Sequence, residues 1–159
     1  MFATLARLFG QPKAPAARPL EPRLAVAALL VHLASVDGAS NRIEIKAIAD
    51  ALATHYGLDE AEVKKLLAEA RIRDREAVDF YQFTTRLARL EEDEKIAIIA
   101  MMWKVVFADD TNHELEDNVV WRVAELIGVS ARQRTVLRNE ARRATTPPDT
   151  IAEGEEDGA

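Results

Sequence analysis

The sequence predicts an all-α fold of about six to seven helices, with two pseudo-symmetric halves packed around an apolar central helix. Three observations predict it. The first is an internal duplication at a constant offset of 72: residues 24–52 (LAVAALLVHLASVDGASNRIEIKAIADAL) match residues 96–124 (IAIIAMMWKVVFADDTNHELEDNVVWRVA). In each copy an apolar stretch runs into an acidic corner and then an amphipathic stretch, with Asp37 aligned to Asp109 and Glu44 to Glu116. The second is apolar spacing of helical period, punctuated by cap residues. The third is the lack of any sustained alternation or Asn-Gly signal that strands and hairpins would need.

A short helix with Phe2, Leu5, Leu8 and Phe9 on one side opens the chain. Pro12, Pro15, Pro19 and Pro22 then make an extended linker. Residues 1–21 are thus a small helix and linker, 22–144 the helical domain, and 145–159 a disordered acidic tail. Within the domain, Leu24, Ala28, Val31 and Ser35 place a first helix ending near Val36, with Gly38 as its stop. A second runs from Asn41 to Tyr56-Gly57. A third opens at Asp59, which has capping-box spacing to Glu62. Val78, Tyr81, Phe83, Leu87 and Leu90 predict a fourth over 75–90. The acidic run 91–94 suits the positive end of a fifth, 92–108. That helix lacks a broad polar face, so its neighbours surround it; Met101, Met102 and Trp103 belong to the core. A sixth covers 112–127 and stops at Gly128, and Ser130 with Gln133 caps a seventh, 131–144. On this reading helices three and four are inserted between the repeat copies.

Composition bounds the function. The 159 residues are 48% hydrophobic and 30% charged, as in a globular helical protein. The absence of Cys excludes disulfide scaffolds, thiolate zinc sites and a cysteine nucleophile. A net charge of −6 argues against nucleic acid as a general partner. Arg132, Arg134, Arg138, Arg142 and Arg143 do cluster before the acidic tail. They read either as a patch for anionic lipid or nucleic acid, or as a solvated last helix complementing its dipole. No segment reaches the ~20 apolar residues of a membrane span, and the N-terminus lacks signal-peptide features. The expected compartment is the cytoplasm.

The acidic corners carry the chemistry. They are Asp37-Gly38-Ala39-Ser40-Asn41-Arg42-Ile43-Glu44 and Asp109-Asp110-Thr111-Asn112-His113-Glu114-Leu115-Glu116. Oxygen ligands converging on a loop suit a hard divalent cation, Ca²⁺ or Mg²⁺. Neither corner is an EF-hand, because position 12 is Ile48 in one and Val120 in the other. Capping is the competing account: Asn41 with Glu44, and Thr111 with Glu114, have capping-box spacing.

The Asp37…Glu44 corner after an apolar helix, the Asp79-Phe80-Tyr81-Gln82-Phe83-Thr84 segment, and the second apolar helix ending Phe107-Ala108-Asp109 resemble the TerB-like family. That family includes tellurite-resistance TerB proteins and the N-terminal region of DjlA co-chaperones. The resemblance spans about residues 22–140. It implies an all-helical domain in stress and tellurite-resistance systems, near membrane-associated protein partners. It also implies a divalent cation site on Asp37, Glu44, Asp109 and Glu116. Asn41 and His113 replace residues that are acidic in many relatives, and Asp110 replaces a glycine. The second corner is the richer, with Asp109, Asp110, Glu114, Glu116 and Asp117.

No enzyme motif competes. HExxH, Gly-x-Ser-x-Gly, a phosphate-binding Gly loop and a Glu-x-x-His pair are all missing. Of the three histidines, His32 belongs to an apolar helix, His55 to a helix C-terminus, and His113 to the second corner. The expected function is a non-enzymatic binding or adaptor module. A purely structural scaffold and a carboxylate enzyme of unrecognised type are the alternatives.

Overall fold

A computed structural model describes residues 20–36, 42–77, 79–109 and 114–145. They form seven helices: α1 (Pro22–Ser35), α2 (Arg42–Tyr56), α3 (Glu60–Glu76), α4 (Tyr81–Leu87), α5 (Glu92–Val106), α6 (Glu114–Ile127) and α7 (Ala131–Thr145). No strand occurs among the described residues. The expected N-terminal helix, the Gly38 stop and the acidic tail lie outside them.

Local chemistry accounts for most boundaries. Pro22 begins α1, where its missing N–H costs nothing. At α3 the Asp59 carboxylate accepts from the Glu62 N–H at 2.8 Å, and the Glu62 carboxylate accepts from the Asp59 N–H at 3.2 Å. The capping box is therefore complete. Ser130 Oγ accepts from the Gln133 N–H at 3.2 Å at the start of α7.

The fourth helix is shorter than its apolar pattern suggests. Helix α3 runs on to Glu76, Ala77 is extended, and Asp79 Oδ1 accepts the Tyr81 N–H at 2.8 Å. That side-chain bond substitutes for a helical backbone bond, so α4 starts only at Tyr81. Phe83 and Leu87 are buried as expected, whereas Tyr81 is exposed.

The duplication is a three-helix unit, which corrects the expectation that helices three and four are both insertions. Helix α1 packs most extensively on α3, as α5 does on α7, and each also packs on the helix after it. Helices α2 and α6 end alike, with left-handed glycines, Gly57 at φ 62° and Gly128 at φ 92°. The next N–H reaches back in both, from Leu58 to the Ala53 carbonyl at 3.0 Å and from Val129 to the Ala124 carbonyl at 2.8 Å. Because α2 is one residue longer, the offset falls from 72 to 71 at these glycines. Asp59 then matches Ser130, and the buried Leu66 and Ala70 match the buried Leu137 and Ala141. Only α4 has no counterpart.

The two first helices of the units share the centre. Helix α1 touches α2, α3, α4, α5 and α6. Nine of its fourteen residues are buried, against seven of fifteen in α5. Fully buried Leu29, Leu30, Leu33, Trp103 and Met102 each stabilise the fold by about 1.5–3 kcal/mol through removal from water.

Candidate cation-binding corners

Glu44 lies in the first turn of α2 and Glu116 in the first turn of α6. Both are only 1% exposed, whereas the residues before them, Ile43 and Leu115, are 56% and 55% exposed. In each copy the helix turns its carboxylate inward and its aliphatic residue outward, an inversion of ordinary amphipathic order. Burial of a carboxylate is costly without compensating partners, and the positive end of the helix dipole offsets part of that cost.

Helix α2 runs antiparallel to α5. Near its C-terminal end, His55 Nε2 lies 3.1 Å from a carboxylate oxygen of Glu94, in the first turn of α5. Toward its other end, Ala47 shares a groove with Lys104, in the last turn of α5. Continuing that pairing sets Glu44 level with the C-terminal end of α5, where half-buried Asp109 follows. The first copy's glutamate and the second copy's aspartate thus belong to one end of the α2–α5 pair. Asp37, Asn41, Asp110 and His113 lie outside the described residues, so the structure does not place the complete expected set. Among the described residues no group of three or more acidic or histidine side chains is gathered as for a metal ion.

The second corner is less uniform than its acidic sequence suggests. Glu114 is exposed, while Asp117 Oδ2 accepts from Arg138 Nη2 at 3.0 Å. Asp117 is therefore engaged by α7. The Arg138 guanidinium also lies 5.5 Å from the ring centroids of Trp103 and Phe107, which stack on each other at 5.8 Å. Trp121 meets Trp103 edge-on at 6.3 Å, and Arg134 lies 5.5 Å from the Trp121 ring. The arginines of α7 thus form no single face. Arg134 and Arg138 are half-buried against aromatic rings, whereas Arg132 and Arg143 are exposed. The sequence hints at this only through the spacing of Arg134 and Arg138, one helical turn apart.

The remaining histidines pair with acids of other helices. His32 Nδ1 lies 3.0 Å from Asp74 Oδ1, joining α1 to α3. His55 packs edge-on against Tyr56 at 4.6 Å. The Tyr56 phenol is pushed up to about 12, first by burial and then by the Glu94 carboxylate, with Arg23 acting in the opposite sense.

No helix among the described residues is long and apolar enough to cross a membrane. No curated protein and no solved structure matches the chain significantly. The family described as tellurite resistance protein TerB does match, over residues 23–139, which runs from the first turn of α1 into α7 and takes in both acidic corners. The chain, an all-helical protein with a duplicated three-helix unit, therefore belongs to the TerB family.

Proposed function

We propose that this TerB-family chain is a non-catalytic binding module of a tellurite-resistance-type stress response. Its acidic corners take up a divalent cation, and its surface serves as an adaptor for a protein partner. The observation that carries the reading is the matched burial of Glu44 and Glu116 in the first turns of equivalent helices. A capping box can place a carboxylate in the first turn, but an exposed one suffices, as Asp59 with Glu62 illustrates at α3. Buried carboxylate oxygens at two equivalent corners suit a hard cation, which compensates charge taken out of water.

Glu44, Glu116 and Asp109 would supply oxygens from the described residues, with Asp37 completing the set. A bound cation would hold the inter-helix corners in one arrangement and so steady the surface offered to a partner. Non-catalytic action is supported by the lack of a sequence motif for nucleophilic or metal-hydrolytic chemistry.

Calorimetry with Ca²⁺, Mg²⁺, Mn²⁺ and Zn²⁺ tests the cation reading. Saturable heat is expected for at least one ion, together with a rise in Tm of about 5–10 °C at a hundredfold excess over Kd. Heat indistinguishable from dilution, with no thermal shift for any of the four, would leave the corners as helix caps.

A further inference from the structure

We infer that the groove among α1, α2 and α3 is a binding site for a small amphipathic carboxylate, an apolar body with one anionic end. The groove encloses about 590 Å³, within the range of small-molecule sites. Val31, Ser35, Ile45 and Leu67 line it. Under the repeat these four positions correspond to Trp103, Phe107, Asp117 and Arg138. In the second unit those four residues are in mutual contact: stacked rings, a guanidinium over both, and a carboxylate on the guanidinium. The same inter-helix space is thus filled in one unit by aromatic bulk and an ion pair. In the other it is lined by shorter, uncharged side chains and stays open.

Charge indicates what the open copy accepts. Arg71 and Arg75 stand one turn apart on α3 at the groove. Arg75 Nε donates to the Arg71 carbonyl at 3.3 Å, and neither guanidinium forms an ion pair with a described carboxylate. Asp74, the acid of the lining, is already held by His32 at 3.0 Å. Two guanidiniums outside any ion pair with a described carboxylate, beside an apolar wall, favour a ligand with a carboxylate head, since guanidinium matches carboxylate geometry. Ile72, 47% exposed, extends the apolar wall to the rim. This inference is independent of the cation reading.

The test is a ¹H–¹⁵N titration of the full chain with indole-3-acetate and, separately, decanoate. Indole-3-acetamide serves as the uncharged control. Saturable shifts are expected at Val31, Ile45 and Ile72 for at least one carboxylate, with a Kd on the order of 1 mM or tighter. The aromatic and aliphatic arms tell which body fits. The double substitution Arg71→Gln/Arg75→Gln is expected to weaken carboxylate binding roughly tenfold or more while leaving the amide unchanged. Ala68→Phe, at an exposed lining position, is expected to block the groove. Absence of saturable shifts with both carboxylates would overturn the inference, as would undiminished binding by either variant. Sedimentation of the native chain as a dimer that Ala68→Phe dissociates would also overturn it, because a second copy would then be the occupant.

Discussion

Arg138 and Asp117 tie the last helix to the second acidic corner: their side chains meet at 3.0 Å while the guanidinium lies over Trp103 and Phe107. Asp117 Oδ1 is buried without a hydrogen-bond partner among the described residues, so the single bond from Arg138 carries much of the compensation for this carboxylate. Arg138→Ala removes that bond and uncovers two rings. It should lower stability by about 2–3 kcal/mol in urea titration. Arg138→Lys keeps the charge but loses the planar stacking, and should recover only part of the loss.

The local part of the architecture was legible and the relational part was not. Asp59 and Glu62 declare the start of α3 because a capping box is complete within four residues. Val78, Tyr81, Phe83 and Leu87 mimic a continuous helix, yet the Asp79 carboxylate captures the Tyr81 N–H and delays α4. The kinship of α3 and α7 was concealed by the extra residue of α2, which breaks a constant-offset comparison at Gly57 and Gly128. Composition deepened the concealment. Leu66 and Leu137 remain alike, but Val63 and Leu67 become Arg134 and Arg138, arginines that sit inward only because aromatic rings receive them. Glu44 and Glu116 stood out through spacing. Their burial, and the commitment of Asp117 to Arg138, depend on packing between helices distant in sequence.

That contrast between buried glutamates and a committed aspartate separates their roles experimentally. On the cation reading, Glu44→Gln and Glu116→Gln should each weaken cation binding by roughly tenfold or more, because each removes a negative oxygen ligand. Asp117→Asn should leave the calorimetric heat unchanged and reduce stability instead, since its oxygen serves Arg138. Equal loss of heat in all three variants would show that the corner responds as a charge cluster rather than through defined ligands.

The paired glycines make a test of the repeat itself. Gly57 and Gly128 hold the left-handed turns that end α2 and α6, and a side chain there is strained by its backbone conformation. A Cβ on Gly57 would meet nothing within 4 Å, and on Gly128 only Lys95 Nζ at 3.7 Å. The strain therefore comes from the backbone and not from crowding. Gly57→Ala and Gly128→Ala should each destabilise by about 1–2 kcal/mol, and nearly equally, measured as a fall in Tm of roughly 2–8 °C. Asn in either position should cost less, because it tolerates this conformation better.

Tyr56 supplies a pH signature for the α2–α5 contact. Burial and the nearby Glu94 carboxylate raise its phenol from about 10 to about 12. A group raised on folding stabilises the native state fully below its unfolded value, and that contribution is lost as pH climbs through the folded one. The loss should therefore fall between about pH 10 and 12. Tyr56→Phe lacks an ionisable group, so its stability should not show this component. Urea denaturation of both proteins across that window isolates it, since other alkaline titrations are common to the two. A wild-type curve parallel to that of Tyr56→Phe would mean that the phenol is not held neutral. Glu94→Gln, which removes the second cause of the shift but not burial, should narrow the window from its upper end.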